Sequence, residues 1–223
     1  MRRNRESIGA ALMAAMLLLP GCEPQKPEPY AQLPEYELDL QRNSPVAEDP
    51  PPAVGQDAAT TRPADSQTLP AHLRPWRYIV IHHSASASGN AITIDAEHRH
   101  RGFDEMGYHF VITNGNGGPD GEVQSGSRWL RQKWGAHTGG TPNNEYNNYG
   151  IGVCLIGDFT DHPPTDAQLA SLHELVFLLA GRLDIPAGNV IGHRDAPNAA
   201  TECPGDHLES HIRQTLRSEL EQR

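Results

Sequence analysis

Two histidines and one cysteine are the residues of this 223-residue chain best suited by type and place to do chemistry. His82 ends the apolar run Val80-Ile81-His82-His83-Ser84. His193 follows Ile191-Gly192 and precedes Arg194-Asp195. Cys203 lies ten residues further on, in Thr201-Glu202-Cys203-Pro204-Gly205. Two imidazoles and one thiolate suit Zn2+, and three protein ligands leave a fourth position open. An ion so held lowers the pKa of water from 15.7 to about 7, which gives a hydrolase its nucleophile at neutral pH. Spacing alone does not single these residues out. A histidine at a strand end is commonly a hydrogen-bonded structural residue, and a buried cysteine is commonly a small apolar one. Cys154, between Val153 and Leu155, reads as the latter. The chain has no C-x-x-C pair, which argues against a zinc ribbon or a thioredoxin-like site. It has no G-x-S-x-G elbow, which argues against a serine hydrolase.

The elements that must position these groups are legible in outline. Arg77 to His82 is a β-branched run and predicts a buried strand. Thr93 is placed to cap a helix running to about Arg101, with Asp95 and Glu97 in its early turns. Gly107 to Ile112 reads as a second strand, and Glu122-Val123-Gln124 as a short strand pairing back after a Gly/Asn turn region. Gly150 to Gly157 is an apolar central strand. Thr165-Asp166-Ala167-Gln168 fits a capping box, and Leu169, Leu172, Val176, Leu179 and Leu183 then recur at helical spacing. Asn189 to Gly192 is a short strand leading into His193. A last helix starts near Asp206, with Leu208, Ile212, Leu216 and Leu220 on one face. Strands and helices mix irregularly, which predicts an α/β domain around one mixed sheet.

That domain occupies residues 74–223. Before it, a basic opening (Met1-Arg2-Arg3-Asn4-Arg5) and an apolar run of about 12 residues read as a secretory signal over residues 1–21, too short for a membrane span of roughly 20 residues. Leu19-Pro20-Gly21-Cys22 resembles the bacterial lipobox, which implies acylation of Cys22. Glu23 behind it points to the outer membrane, facing the periplasm, by resemblance to lipoprotein sorting. Residues 22–73 are rich in Pro, Ala, Gln, Asp and Glu without an apolar period, so a disordered tether is expected. At about 3.1 Å per residue it would reach on the order of 150 Å. The formal net charge of −10 argues against general nucleic-acid binding. A monomer is expected.

Five stretches in order resemble the type-2 N-acetylmuramoyl-L-alanine amidase family, which includes peptidoglycan recognition proteins and amidase-type phage lysozymes. They are Val80-Ile81-His82-His83-Ser84, Gly107-Tyr108-His109-Phe110-Val111-Ile112, Gly135-Ala136-His137-Thr138, Ile151 to Phe159, and Gly192-His193-Arg194-Asp195 with Cys203-Pro204-Gly205. The resemblance implies a central mixed β-sheet flanked by helices, and zinc-dependent hydrolysis of the amide between N-acetylmuramic acid and L-alanine in peptidoglycan or muropeptides. It puts Zn2+ on His82, His193 and Cys203. It makes Tyr108 a catalytic group near the reacting water and Thr201 a group that polarises the scissile carbonyl, and it places His137 in the substrate groove. Strand alternation lets only one of two adjacent side chains enter the site, so His83 lies nearer the substrate or on the outer face. The gap from His193 to Cys203 is longer by two than in phage and animal members; cytosolic anhydro-muropeptide amidases share the longer gap but use Asp as the third ligand. The alternative is a non-catalytic peptidoglycan-binding module, although relatives that bind without cutting typically lack the cysteine.

Overall fold

The computed structural model describes Pro70 and residues 72–223. The expected signal peptide, the lipidation site Cys22 and nearly all of the tether lie outside the described residues.

Five strands form one mixed sheet in the order β3-β2-β4-β1-β5. They are β1 (Tyr78–His83), β2 (Phe110–Ile112), β3 (Val123–Ser125), β4 (Gly150–Leu155) and β5 (Val190–Gly192). β1 runs parallel to both β4 and β5, and β2 runs parallel to β4. Only β3 is antiparallel, against β2. Parallel strands need cover on both faces, and the middle strand of the sheet, β4, is accordingly apolar throughout. All six residues of β4 are buried.

The two faces have different duties. Ile79, Ile81, Phe110, Ile112, Val153 and Leu155 share the main core with Leu172, Leu175, Val176 and Leu179 of α4 (Asp166–Leu183). Leu208 of α5 (Asp206–His211) joins this core, as do Ile212 and Leu216 of the π-helical turn Ile212–Leu216 that leads into α6 (Arg217–Glu221). By strand alternation, Val80, His82, Val111, Gly152, Cys154 and Ile191 point to the opposite face. That face is covered by α1 (Ala91–His100) and by the loops between strands.

The local signals mostly survive tertiary folding. Thr165 caps α4 and Gln168 returns the bond, as a capping box requires. Gln168 is fully buried, and its amide nitrogen also donates to the carbonyls of Ile112 and Ile156, tying the helix start to the sheet. At α1 the cap is Asn90 rather than Thr93. Asn90 Oδ1 accepts from Thr93 N at 2.9 Å, and Asn90 N donates to Thr93 Oγ1 at 2.9 Å. Thr93 therefore plays the return partner of the box, and the helix starts three residues earlier than its own side chain suggested. β3 is shifted by one residue from expectation, although Thr113 N still donates to Glu122 O at 3.1 Å. The final helix keeps its apolar face across the π-helical turn, which no local residue signal announced.

Candidate metal centre

β1 and β5 are neighbours, and their last paired residues are Ile81 and Gly192. The next residue of the chain after each is a histidine, so the register of β1 and β5 sets His82 beside His193. Their ring centroids are 4.6 Å apart. The chain then makes a 3-10 turn at His193–Asp195 and returns through a loop to Cys203. That loop is closed at its neck, where Arg194 N donates to Cys203 O at 2.9 Å. Cys203 N donates to Thr201 Oγ1 at 3.1 Å, and His83 N donates to Cys203 Sγ at 3.4 Å. Together these bonds aim the sulfur at the two imidazoles. Sγ lies 3.7 Å from His82 Nδ1, and the ligand atoms of His82, His193 and Cys203 all lie within 4.8 Å of one another.

This donor set fits a zinc ion. With Zn–N near 2.0–2.1 Å and Zn–S near 2.3 Å, a tetrahedral N···S edge is about 3.6 Å, close to the separation found between His82 and Cys203. The protonation states suit ligation as well. Burial holds His82 well below the usual imidazole range, with His137 and His193 adding to the effect. Burial also brings His193 down to about 4. Both rings therefore offer a lone pair at neutral pH. Burial pushes the Cys203 thiol up to about 12, while the His83 N–H and the Arg194 charge act the other way. Ligation must displace that thiol proton.

Tyr108 packs against His82 with ring centroids 5.0 Å apart. Burial, then the nearby Cys154 and Cys203 sulfurs, push its hydroxyl well above 10. Its hydroxyl pairs with the Cys154 thiol. Cys154, opposite His82 in the β1–β4 register, is thus buried on the site face of the sheet. His137 is also brought to the cluster, but behind His82 and not in open space. Its Nδ1 lies 3.1 Å from His82 Nε2 and 2.8 Å from Thr138 Oγ1, and its Nε2 lies 3.2 Å from Gly150 O. His83 is not in the cluster. It points to the other face, where Nδ1 accepts from Phe159 N at 3.3 Å and sits 3.6 Å from the Asp158 carboxylate. Thr201 is partly buried beside Cys203, its oxygen turned to the Cys203 N–H.

Several supporting residues escaped the sequence reading. Arg128, in α2 (Ser127–Leu130), is only 2% exposed. It donates to the carbonyls of Met106 and Trp134, each at 2.7 Å, and to Asp104 at 2.5 Å, so one guanidinium clamps the segments that deliver Tyr108 and His137. Asn147, in α3 (Glu145–Asn148), accepts from the N–H groups of His137 and Thr138 at 2.8 and 2.9 Å. His98 Nδ1 accepts from Gly107 N at 2.9 Å beside Tyr108. Its spacing of four from buried Ile94 is a signal that it faces inward. Gly152 explains the glycine-rich pattern of β4, because a Cβ there would come within 2.4 Å of the His137 ring.

His109 is fully buried. Its Nδ1 accepts from Gly152 N at 2.9 Å, and its Nε2–H donates to Lys133 O at 3.0 Å. Burial lowers it from 6.5 to about 4. The unfolded chain binds this proton more readily, so the stability the neutral ring contributes is present above pH 6.5 and is lost as pH falls through about 4. At 1.36 kcal/mol per unit the shift is worth about 3 kcal/mol. The urea midpoint of the protein should therefore drop between pH 6.5 and 4, and less steeply for His109→Gln. Equal slopes for the two proteins would assign the acid sensitivity elsewhere.

A family profile described as N-acetylmuramoyl-L-alanine amidase matches residues 72–206. The chain is 30% identical over 146 residues to peptidoglycan-recognition protein SC1a of Drosophila melanogaster, covering 61% of this chain and 71% of that protein. It is 35% identical over 116 residues to an N-acetylmuramoyl-L-alanine amidase of Sus scrofa, covering 51% of this chain but only 17% of that protein. Among solved structures, the amidase LysC from Clostridium intestinale URNW superposes with a TM-score of 0.54 at 26% identity, over 69% of this chain and 93% of that one. Bumblebee PGRP-SA does so with a TM-score of 0.51 at 29% identity, over 69% and 90%.

Proposed function

Because the chain belongs to the N-acetylmuramoyl-L-alanine amidase family, we propose that its domain is a zinc-dependent hydrolase of the amide between N-acetylmuramic acid and L-alanine in peptidoglycan or muropeptides. The observation that carries the reading is the convergence of His82, His193 and Cys203 donor atoms within 4.8 Å of one another. Two neutral imidazoles and a thiol that must ionise are a metal-binding set, and three ligands leave room for a reactant. A binding-only module has no use for the cysteine, which favours the enzyme.

A zinc ion held by these three residues supplies Lewis acidity toward a carbonyl and acidifies water. The chain's own groups do the rest. Tyr108 keeps its proton across the working pH range, so its O–H acts as a donor and not as a base. Its ring lies against His82 with centroids 5.0 Å apart, and its hydroxyl, paired with the Cys154 thiol in the free protein, turns to the carbonyl oxygen as negative charge develops there. Thr201 accepts from the Cys203 N–H at 3.1 Å; its own hydroxyl proton stays available for the same oxygen. The attacking water gives up a proton as its oxygen bonds the carbonyl carbon, and the expelled amine of L-alanine takes up that proton as the C–N bond breaks, so no side chain ends with a changed charge. Export through residues 1–21, acylation at Cys22 and an outer-membrane station belong to the same proposal and rest on the sequence signals.

Digestion of purified sacculi, read by mass, tests the reaction. Intact stem peptides beginning with L-alanine should be released from bare glycan, and a chelator should stop the release. Shortened stems still joined to glycan would identify a peptidase instead. Sacculi that bind the protein but lose nothing would identify a binding module.

A further inference from the structure

We propose that His137 is a positioning residue that fixes the tautomer of His82 and thereby decides which His82 nitrogen meets the metal. The proposal rests on the zinc reading above and adds a role that the ligand set does not contain.

The hydrogen-bond chain has a direction. His137 Nε2 faces the Gly150 carbonyl at 3.2 Å. A carbonyl can only accept, so Nε2 carries a proton. The other partners of the ring are the Thr138 hydroxyl and the His82 imidazole. Neither offsets a positive charge, and an uncompensated buried cation is costly, so the ring is neutral and Nδ1 is a lone pair. His82 Nε2 lies 3.1 Å from that lone pair. Two facing lone pairs at this distance would repel, so His82 Nε2 carries a proton and donates it. The remaining nitrogen, Nδ1, is left unprotonated on the side of Cys203, 3.7 Å from Sγ. The order is therefore Gly150 C=O, His137 N–H, His82 N–H, then an open lone pair. Ligating histidines commonly donate their second N–H to a fixed acceptor, which orients the ring and raises its basicity. Here the acceptor is another imidazole.

The fold is arranged to keep His137 there. Asn147 Oδ1 holds the backbone N–H groups of residues 137 and 138. A Cβ at either Gly135 or Gly152 would approach the ring to 2.4 Å, so two glycines supply the slot. His137 itself is 8% exposed, and both ring nitrogens are spent inside the protein. A groove residue that reads substrate would keep one free.

The test uses full-length purified protein. In the metal-free wild type, long-range proton–nitrogen NMR should find His82 protonated at Nε2. His137→Ala should weaken zinc binding about 10–100-fold in competition with a chromophoric chelator. His137→Gln, whose amide can accept from His82 and donate to Gly150 O, should recover most of that loss. The cobalt-substituted alanine variant should show an altered visible spectrum. The proposal is overturned if His82 is protonated at Nδ1, if the alanine variant binds zinc as wild type does, or if glutamine is no better than alanine. The wild-type NMR result stands whether or not a variant folds. Failure of the wild type itself to bind zinc would overturn the zinc reading instead, and chelator competition separates the two without any measurement of turnover.

Discussion

Replacing Cys203 with serine should lower amide release from sacculi on the order of 10³-fold or more, because a bound zinc contributes several kcal/mol to charge stabilisation and each 1.36 kcal/mol is a factor of ten. The substitution is nearly isosteric, so the surrounding bonds can persist. Cys203 N would still donate to Thr201, and Arg194 N to the residue 203 carbonyl. What disappears is the soft, ionisable donor 3.7 Å from His82 Nδ1. A serine hydroxyl does not give up its proton under these conditions, and its oxygen is shorter-reaching than sulfur. The variant should thus melt where the metal-free wild type does and keep its binding to sacculi while losing both zinc and turnover. Three measurements decide the matter: zinc content after dialysis, pull-down with sacculi, and mass of released peptides. Turnover at the wild-type rate with serine at 203 would remove this residue from the mechanism.

Tyr108→Phe should lower kcat by about 10²–10³-fold, the range for loss of one donor to a developing oxyanion, with KM and zinc content nearly unchanged. The ring would remain packed on His82 and beside His98, so the loss isolates the hydroxyl. Burial raises that hydroxyl well above 10, which fixes the sign of its pH effect. A donor with a raised pKa stays competent as pH rises through neutrality, and it would fail only in strong alkali. The wild-type rate profile should show no limb from Tyr108 below pH 10. A tyrosine acting as base would instead give activity that climbs toward its pKa and a variant with the climb removed. The comparison of the two profiles distinguishes these roles, and an unchanged kcat in the variant would leave Tyr108 as a packing residue.

Much of the fold was open to sequence reading because its signals are local. The β-branched run into His82, the Thr165 capping box and the leucine spacing of α4 each report on residues within one or two turns of chain. The errors came where two local readings competed. Thr93 and Asn90 can both cap, and choosing between them depends on where the preceding loop brings the chain. Arg128 gave no signal at all. A charged residue is ordinarily at the surface, and this one is buried only because two carbonyls and Asp104 converge on it from separate loops.

For the site, the residue types of His82, His193 and Cys203, and their places at the ends of apolar runs, were fixed by the linear order of the chain. That both histidines follow strands, and that a returning loop ends in a cysteine, could be read without coordinates, as could the motifs shared with a known family. Which residues stand together was decided by sheet order, since β1 and β5 become neighbours only through a crossover of more than a hundred residues. The placing of His137 behind His82, of Cys154 beside Tyr108 and of His83 on the far face likewise depended on register and loop packing. The physical reason is that residue chemistry is a property of each side chain, whereas a hydrogen bond between positions 82 and 137 exists only once burial of the whole core has packed the loop that carries His137 against the strand that carries His82.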